Sequence, residues 1–480
     1  GATSGTYSVA ATKAGDSGVY ALTVTNVLGS ATSNTISVTV VAPPPDTTPT
    51  VLAWGNNISG QVGDGNGIGR NTYVPVNTAG VLSGKTIVRY AAGNNHALVL
   101  TSDNKLFAWG QNNRGQLGDG TTTNAPLPVA VNMSGVLAGK TVVAISGCMD
   151  SSAALTSDGK VYTWGSNSNG QLGVGSTIDS LVPVAVVTGG TLSGKVVKQI
   201  ACGYYHMLAL TQDNLIFGWG QNGSYQLGNN TTAASTIPTA VTMTPMAGKT
   251  ISKIVSHNNH SFALTQDGLL FGWGYNNYGQ LGNGTYANGL IPTAATQTGV
   301  MAGKTITDVV VGMHHSLAMS SDGQVYSWGW NQYGQLGVNS SVGNPSPLLV
   351  TGFGALEGKV ATAIGATWYQ SQALTSEGKV VSWGMNDQGQ LATGDYVTYW
   401  VPTLSVLPAG KTFSALNTGP GGRTILFANS GEAYSAGHNQ YGQIGDGTIH
   451  YQLQPTAIPG AAFASKTVAA VFGGGGGSVV

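Results

Sequence analysis

The sequence predicts an all-β protein whose larger part is a β-propeller made of repeats about 54 residues long. Three observations support this prediction: a Trp-Gly phrase recurs eight times, apolar residues within each repeat alternate with a period of two, and the first forty residues follow a different pattern. Alternation with a period of two is typical of strands rather than helices. A fixed repeat of several tens of residues indicates a solenoid or a propeller.

The Trp-Gly phrase sets the length of the repeat, because its tryptophans lie 54 or 55 residues apart. The tryptophans are Trp54, Trp109, Trp164, Trp219, Trp273, Trp328 and Trp383, with Ala436 in the eighth place. The phrase reads AWGNNISGQVG from Ala53, AWGQNNRGQLG from Ala108, TWGSNSNGQLG from Thr163, GWGQNGSYQLG from Gly218, GWGYNNYGQLG from Gly272, SWGWNQYGQLG from Ser327, SWGMNDQGQLA from Ser382 and SAGHNQYGQIG from Ser435. We expect the tryptophans to pack between blades and the asparagines to form hydrogen bonds within turns.

Two further elements complete the repeat. Segments such as GNNHALVLTSDNKLFAWG and GYYHMLALTQDNLIFGWG predict two short strands joined by a turn at an aspartate. A Gly-Lys pair marks a turn before the next inner strand, at Gly84-Lys85, Gly139-Lys140, Gly194-Lys195, Gly248-Lys249, Gly303-Lys304, Gly358-Lys359 and Gly410-Lys411. About four short strands per period are the content of one propeller blade.

Taken together, W-G-x-N-x-x-G-Q-L-G following G-x-x-H-x-x-A-L-T-x-D-G resembles the repeat of the regulator-of-chromosome-condensation superfamily. The resemblance covers about residues 51–480 and implies a β-propeller, usually of seven blades, that acts as a rigid platform for protein partners. The family includes nucleotide-exchange factors, a plant ultraviolet receptor and a secreted β-lactamase inhibitor. The resemblance therefore predicts the fold without fixing the function.

The number of blades is eight by motif count and seven by family precedent. The propeller sequence opens at Val51 with the Trp-Gly half of a repeat and stops with VAAVFGGGGGSVV, which is the inner half of one. The two halves are complementary. We expect them to close the ring as one mixed blade that leaves no open strand edge.

The segment before Val51 predicts the last strands of an immunoglobulin-like sandwich. Thr6–Thr12 alternates as a strand, and Asp16–Tyr20 leading into Ala21–Asn26 resembles the tyrosine corner of that fold. A hairpin turn at 27–30 and a strand over 31–41 follow.

The sequence thus divides into a partial immunoglobulin-like domain over 1–41, a Pro-rich linker over 42–50 and the propeller over 51–480. Three strands cannot cover both faces of a sandwich. We expect either that an upstream segment has been removed or that another chain donates strands to this domain.

Charge and hydropathy exclude some classes of partner. Eighteen basic residues balance eighteen acidic residues without a basic cluster, so we predict no nucleic-acid partner. No apolar run approaches the roughly 20 residues that a membrane span needs. Because charged residues make up only 8% of the chain and Thr and Asn are abundant, we expect a secreted or cell-surface protein.

The two cysteines, Cys148 and Cys202, fall in nearly matching positions of adjacent repeats. A disulfide requires its two Cα atoms to lie within about 7 Å of each other, which sequence cannot supply. We therefore expect two half-buried free thiols and leave the disulfide state open.

Catalytic and metal-binding patterns are weak. Histidines recur at His96, His206, His260 and His315, which invites a metal hypothesis, but Ser151 and Gln370 occupy the same place in other repeats. The family resemblance implies a structural role for this histidine within the blade. The recurring carboxylates lie in a strand turn, where Asp commonly bonds backbone N–H groups, at Asp103, Asp158, Asp213, Asp267, Asp322 and Glu377. We predict a protein that is not an enzyme and that needs no metal or cofactor.

Function is expected where the repeat varies. Large aromatic side chains concentrate in the later repeats, in places that are small or polar in the earlier ones, and clustered aromatic residues are typical of binding hot spots. The predicted binding residues are Tyr275, Tyr278, Trp330, Tyr333, Trp368, Tyr369, Trp400 and Tyr441.

The predicted function is an extracellular interaction or assembly scaffold that binds a protein partner, or a second copy of itself, through one rim of the propeller. An alternative is a secreted inhibitor of an enzyme. A metal-dependent lyase or glycan hydrolase is a weaker alternative, because no recurring carboxylate stands beside the recurring histidines.

Overall fold

The computed structural model describes residues 18–20, 23–26, 29–32, 36–38, 51–419, 422–458, 472–473 and 477–479 of the chain. Residues 1–48 and 49–480 form two compact units. Within the described residues, no helix has the length and apolar character needed to cross a membrane.

The described residues of the first unit form four short strands in two antiparallel pairs. The strands are β1 (Gly18–Tyr20), β2 (Thr23–Asn26), β3 (Gly29–Thr32) and β4 (Ile36–Val38). β2 pairs with β3, and β1 pairs with β4. The predicted strand Thr6–Thr12 and the predicted linker 42–50 lie outside the described residues, and the immunoglobulin-like character of this unit stays a prediction.

The second unit contains eight four-stranded antiparallel sheets among its described residues, and we call them blades 1 to 8. The strands of the second unit begin with the outer half of blade 1, β5 (Leu52–Gly55) and β6 (Arg70–Pro75). Blades 2 to 8 each use four consecutive strands: β7 (Ile87–Ala92), β8 (His96–Thr101), β9 (Leu106–Gly110) and β10 (Ala125–Ala130) in blade 2; β11 (Val142–Gly147), β12 (Ser151–Thr156), β13 (Val161–Gly165) and β14 (Ser180–Ala185) in blade 3; β15 (Val197–Cys202), β16 (His206–Thr211), β17 (Ile216–Gly220) and β18 (Ser235–Ala240) in blade 4; β19 (Ile251–His257), β20 (His260–Thr265), β21 (Leu270–Gly274) and β22 (Gly289–Ala294) in blade 5; β23 (Ile306–Val311), β24 (His315–Ser320), β25 (Val325–Gly329) and β26 (Asn344–Leu349) in blade 6; β27 (Ala361–Ala366), β28 (Gln370–Thr375), β29 (Val380–Gly384) and β30 (Tyr399–Leu404) in blade 7; and β31 (Phe413–Gly419), β32 (Arg423–Ala428), β33 (Ala433–Gly437) and β34 (Gln452–Ala457) in blade 8.

Blade 1 is completed by the end of the chain. β35 (Phe472–Gly473) and β36 (Gly477–Val479) supply its inner half, and β36 pairs antiparallel with β5 from Gly477↔Gly55 to Val479↔Ala53. The eight blades of the motif count and the mixed closing blade are therefore confirmed. The family precedent of seven blades is not followed here.

The blades form a closed ring with their first strands innermost. The first strands of neighbouring blades contact each other all the way round, including β31 with β35 and β35 with β7. The second and third strands are buried on both sides, as in β8 and β9. The described residues form eight apolar clusters, each joining two neighbouring blades, so the core lies between the blades.

In the described part of the propeller, four single 3₁₀ turns lie between the outer strand of one blade and the inner strand of the next. They span Gly190–Leu192, Thr244–Met246, Gly299–Met301 and Gly354–Leu356. Each turn buries its last residue, so the connections between blades also contribute to the core.

The recurring tryptophans join the blades, as predicted. All seven are fully buried, and the indole Nε1 of each donates a hydrogen bond to the carbonyl oxygen of the glutamine in the Gly-Gln-Leu-Gly turn of the preceding blade. The Nε1–O distances range from 2.7 Å at Trp54 to 3.1 Å at Trp109. Trp54 donates to Gln443 and so joins blade 8 to blade 1.

The last glycine of the same turn leaves room for the indole. At Gly118, where φ is +70°, a Cβ would lie 2.8 Å from Nε1 of Trp164. Blade 7 carries Ala392 at this place, with φ +59°, and blade 8 carries Ala436 in place of the tryptophan. The glycine and the tryptophan are thus replaced together at one junction.

The recurring histidines also connect neighbouring blades. Nε2 of His96 lies 2.9 Å from Oγ of Ser152, and Nε2 of His315 lies 2.9 Å from Oγ of Ser371. Burial lowers the pKa of His96 to about 4 and that of His315 to about 3, so both are neutral at neutral pH. The structure thus places these histidines in hydrogen bonds between blades.

The expectation of two free thiols is wrong. Cys148 and Cys202 form a disulfide between blades 3 and 4, with their Cα atoms 5.6 Å apart. The two cysteines occupy nearly matching places on adjacent blades, and the ring brings such places to within bonding distance.

One end of the ring carries a row of ion pairs, and we call it the ion-pair face. It holds the turns between second and third strands and the Gly-Lys turns. Each Gly-Lys lysine pairs with a carboxylate in the turn of its own blade: Lys85–Asp103, Lys140–Asp158, Lys195–Asp213, Lys249–Asp267, Lys304–Asp322, Lys359–Glu377 and Lys411–Glu432.

The carboxylates of the ion-pair face are bound mainly by side chains, not by the backbone N–H groups that we expected. Asp158 accepts hydrogen bonds from Nζ of Lys140 at 2.8 Å and from Oγ1 of Thr156 at 2.5 Å. These two hydrogen bonds lower the pKa of Asp158 to about 2.

Candidate functional site

The opposite end of the ring carries the variable loops, and we call it the aromatic face. Consecutive strands of a blade run antiparallel, so the loop between the first and second strands and the loop between the third and fourth strands lie at the same end. Backbone hydrogen bonds join the two loops, as from Trp330 N to His314 O at 2.9 Å and from Met385 N to Tyr369 O at 3.0 Å.

A buried asparagine holds the longer loop in every blade. In blade 2, Oδ1 of Asn112 accepts the backbone N–H of Leu117 at 3.0 Å, and Nδ2 donates to the carbonyl oxygen of Thr121 at 3.1 Å. The equivalent asparagines in the other blades make the same kind of contacts. The prediction of turn hydrogen bonds at the repeated Asn is confirmed, and the residues between these fixed points are free to vary.

Five of the eight predicted binding residues come together on blades 5 to 7. With His314 they form a continuous set of ring contacts that we call the aromatic cluster: Tyr275, Tyr278, His314, Trp330, Tyr333 and Tyr369. Trp330 lies at its centre, with ring centroids 5.1 Å from Tyr369, 5.5 Å from Tyr333 and 5.9 Å from Tyr278. His314 lies 4.7 Å from Tyr278.

The aromatic cluster is partly open to solvent and carries no charge at neutral pH. Tyr278 is 37% exposed, and Trp330, Tyr333 and Tyr369 are half-buried. Burial lowers the pKa of His314 and raises the pKa of Tyr369, and both shifts favour the neutral form.

Its surroundings on blades 4 to 6 are uncharged as well, whereas the longer loop of blade 7 carries Asp387 and Asp395. The loops of blades 4 to 6 on the aromatic face contain no Asp, Glu, Lys or Arg; these loops are 203–205, 221–234, 258–259, 275–288, 312–314 and 330–343. A protein partner can therefore cover this sector without burying an unpaired charge of the propeller.

Three predicted residues lie away from the cluster. Trp368 and Tyr441 are 44% and 45% exposed and line a pocket of about 460 Å³ over blades 7, 8, 1 and 2, which Tyr369 also lines. Trp400 lies on the outer strand of blade 7, where its backbone approaches Gly334 of the preceding blade. Among the described side chains, Trp400 makes none of the ring contacts that join the cluster.

Sequence reasoning missed the contribution of the short loops. His314 does not occupy the repeated histidine position and was not among the predicted binding residues, yet it connects Tyr275 to Trp330. Tyr204 and His257 form a second aromatic contact of the same kind, 5.5 Å apart. The available signal was the residue pair before each recurring histidine, which varies from blade to blade and lies on the aromatic face.

The recurring titratable side chains of the described residues make structural contacts. No group of three or more His, Cys, Asp or Glu side chains in this part of the chain is arranged to hold a metal ion. Seven carboxylates are committed to the lysines of the ion-pair face, and the recurring histidines are committed to hydrogen bonds between blades. The aromatic face instead presents apolar side chains and the amide side chains of Asn and Gln to a partner.

Comparison with known families gives a consistent result. A family model described as RCC1-like domain matches residues 50–426, and a model described as regulator of chromosome condensation (RCC1) repeat matches residues 430–480. The ultraviolet-B receptor UVR8 of Arabidopsis thaliana is 31% identical over 76% of this chain and 79% of that protein. The E3 ubiquitin-protein ligase HERC2 of Homo sapiens is 32% identical over 79% of this chain but only 8% of that protein.

Solved structures agree on the fold. The structure of Prp20p from Saccharomyces cerevisiae has a TM-score of 0.61 at 23% identity and covers 91% of this chain and 92% of its own. Human WBSCR16 has a TM-score of 0.60 at 19% identity and covers 90% of this chain and 99% of its own. At these identities the likeness concerns the fold alone.

Proposed function

The chain belongs to the family of RCC1-like domains, and we propose that it is a non-enzymatic scaffold that binds a protein partner through its aromatic cluster. The relatives support the general role. Yeast RCC1 (Prp20) has been solved bound to Kap60, and binding properties of Prp20p toward Gsp1p and histones are described. The observation that carries the proposal for this chain is the continuous, partly exposed aromatic cluster on blades 5 to 7.

The energetic argument starts from the rigidity of the cluster. Trp330 touches four other rings, so little side-chain freedom remains to be lost when a partner binds. Aromatic side chains bring a large contact area with few rotatable bonds. The partner is another protein or a second copy of this chain, and a chain that donates strands to the unit at 1–48 is a further candidate for assembly.

We further propose that the protein works outside the cell or at its surface. The low content of charged residues and the abundance of Thr and Asn support this location. The disulfide between Cys148 and Cys202 supports it independently, because disulfides persist in oxidising compartments and are rare in the cytosol. Counting free thiols in native protein isolated without reductant tests this part, and two free thiols would remove the second support.

The binding role is tested with the double variant Trp330→Ala/Tyr333→Ala. The immobilised full chain is exposed to culture supernatant and to surface extracts of the producing cells, and the captured protein is then titrated against each variant. We expect binding to weaken about thirty-fold or more, because the loss of even one hot-spot residue costs about 2 kcal/mol or more. Light scattering on the same variants measures self-association.

Tyr396→Ala is the matched control, since Tyr396 is 53% exposed and lies outside the cluster. Unchanged affinity in this control together with loss in the double variant supports the proposal. Equal affinity of the double variant and the unmodified chain would refute it. Capture of one stoichiometric enzyme, with loss of that enzyme's activity, would favour the inhibitor alternative.

A further inference from the structure

The pocket over blades 7, 8, 1 and 2 adjoins the aromatic cluster at Tyr369 but otherwise has a composition of its own. Its volume of about 460 Å³ lies within the range of small-ligand pockets, roughly 300–1,000 Å³. The loops that line it come from four blades, so the closed ring assembles the pocket. We propose that it binds a neutral saccharide.

The walls of the pocket combine flat apolar surfaces with an open side. Trp368, Tyr369 and Tyr441 line it, together with the thioether of Met385. Trp368 and Tyr441 are 44% and 45% exposed, so their rings are accessible to a ligand without rearrangement. An aromatic ring stacks well on the C–H face of a hexose, which is apolar while the ring edge carries hydroxyl groups.

The polar lining is dominated by amides. An amide side chain both donates and accepts, which matches neighbouring hydroxyl groups of a sugar. Gln390 and Gln443 are already held, because Nε2 of Gln390 donates to Asp387 at 3.0 Å and Nε2 of Gln443 lies 2.7 Å from Nδ1 of His438. Asn94 and Gln388 make no side-chain hydrogen bond as donor or acceptor within the described residues and face the pocket.

Gln370 supplies an independent indication of a ligand. Its side chain is 1% exposed and lines the pocket, and its Oε1 has no hydrogen-bond partner in the described part of the chain. A buried acceptor left without a donor costs about 1–3 kcal/mol. A ligand hydroxyl would satisfy it.

The charges around the pocket favour a neutral ligand over an ion. Asp387 lines the pocket, and no lysine or arginine is among its described lining residues. Arg423 is 1% exposed and lies near enough to His438 to lower its pKa, although burial is the larger cause of that shift. A cation would therefore meet the field of Arg423, and an anion would meet Asp387. A hydroxyl-rich neutral molecule avoids both costs.

Isothermal titration and saturation-transfer NMR test the proposal on the full chain. The probes are cellobiose, lactose, maltose and N,N′-diacetylchitobiose, with N-acetylarginine amide and glucose 6-phosphate as charged comparisons. We expect at least one disaccharide to bind more tightly than either charged probe, and Trp368→Ala to weaken that binding about ten-fold or more. Binding of a glycosylated protein and of its enzymatically deglycosylated form then separates a free sugar from a protein-linked glycan.

Tyr275→Ala is the matched control, because Tyr275 belongs to the aromatic cluster and its ring contacts are with Tyr278 and His314, which do not line the pocket. It should leave saccharide binding within about two-fold, so the result does not depend on the proposed partner binding. Lack of binding by all four disaccharides at about 20 mM would overturn the inference. Tighter binding of N-acetylarginine amide, or an unchanged affinity in both Trp368→Ala and Gln388→Ala, would overturn it as well.

Discussion

The two faces of the ring are built from the same repeats but are used differently. On the ion-pair face, blades 2 to 8 carry the same lysine and carboxylate pair, with distances of 2.5–2.8 Å in six of the seven. On the aromatic face, only the buried asparagine and the Gln and Gly of the turn recur, and the exposed places change from blade to blade. A repeat thus fixes one face and leaves the other available for recognition.

The ion pairs are not what holds the ring together. Their side chains are about one third to one half exposed, and exposed ion pairs contribute about 0–1 kcal/mol each. They neutralise seven of the chain's eighteen basic residues, which helps to explain why the propeller has no basic patch. Stability comes instead from the contacts between blades.

The largest contrast between scaffold and recognition face concerns two tryptophans. Trp219 is fully buried between blades, whereas Trp330 is half-buried on the aromatic face. We expect Trp219→Ala to cost about 3–5 kcal/mol, because it opens a cavity and removes the hydrogen bond to Gln171. Trp330→Ala should cost less, about 1–2 kcal/mol, because it removes a half-buried side chain at the surface and opens no cavity between blades. Chemical unfolding followed by circular dichroism measures both.

Similar costs for the two variants would break the distinction between scaffold and recognition face. Retained partner binding in Trp219→Ala at temperatures where it is folded would sharpen the distinction. The structure places the two indoles in different environments although both come from Trp-Gly phrases.

The second prediction concerns acid stability and the buried histidines. An unfolded histidine binds a proton below about pH 6.5, whereas folded His96 does so only near pH 4. Unfolding therefore takes up a proton between these values, and stability falls as the pH falls from about 6.5 to 4. For His96 alone the loss by pH 4 is about 3 kcal/mol, from roughly 1.4 kcal/mol per pKa unit. Denaturant unfolding at pH 7, 6, 5 and 4 measures it.

His96→Gln is the control, because blade 7 already uses Gln370 in the same place. Unfolding of the variant should take up one proton fewer in this pH window. Its free energy of unfolding should therefore fall less steeply as the pH is lowered. The carboxylates of the ion-pair face are present in both proteins, so the difference between the two slopes isolates His96. Asp158, with its pKa lowered to about 2, loses its contribution mainly at lower pH. An unchanged slope would contradict the burial of neutral His96.

Much of the fold could be predicted because the same sequence pattern recurs in every repeat. The period located the tryptophans, the two half-repeats at the ends of the propeller sequence predicted the mixed blade, and the variable places identified five members of the aromatic cluster. The prediction failed where contact depends on neighbouring blades. Cys148 and Cys202 are 54 residues apart in sequence, and only the geometry of the ring shows that they meet.

The candidate site could be predicted from the sequence only in part, for the same reason. Trp330 and Trp400 were both predicted as binding residues, yet one lies in a loop of the aromatic face and the other on an outer strand. His314 was missed because a comparison of the repeats identifies the positions that stay fixed and gives no weight to a variable residue beside one of them. Side chains from separate blades define the site, and their distances depend on the curvature of the ring.

The smallest predicted effect concerns the glycine that ends the recurring turn. It is tested by comparing a junction that has a tryptophan with the one junction that lacks it. In Gly118→Ala the new Cβ would lie 2.8 Å from Nε1 of Trp164, at a φ of +70° that disfavours alanine. We expect a loss of about 1–3 kcal/mol, the usual cost of overpacking a well-packed core. Thermal unfolding of the full chain measures this loss.

Ala392 provides the matched comparison, because it already occupies the same turn position next to Ala436. Ala392→Gly should change stability by less than about 1 kcal/mol, since relief of its positive φ and loss of a buried methyl group act in opposite directions. Ala436→Trp alone should destabilise blade 8, because the indole would meet the Cβ of Ala392. The double variant Ala392→Gly/Ala436→Trp should recover at least half of that loss, since it recreates the pair found at the other junctions. Additive effects of the two substitutions would mean that glycine and tryptophan are not coupled, and the turn glycine would then be required by its backbone conformation alone.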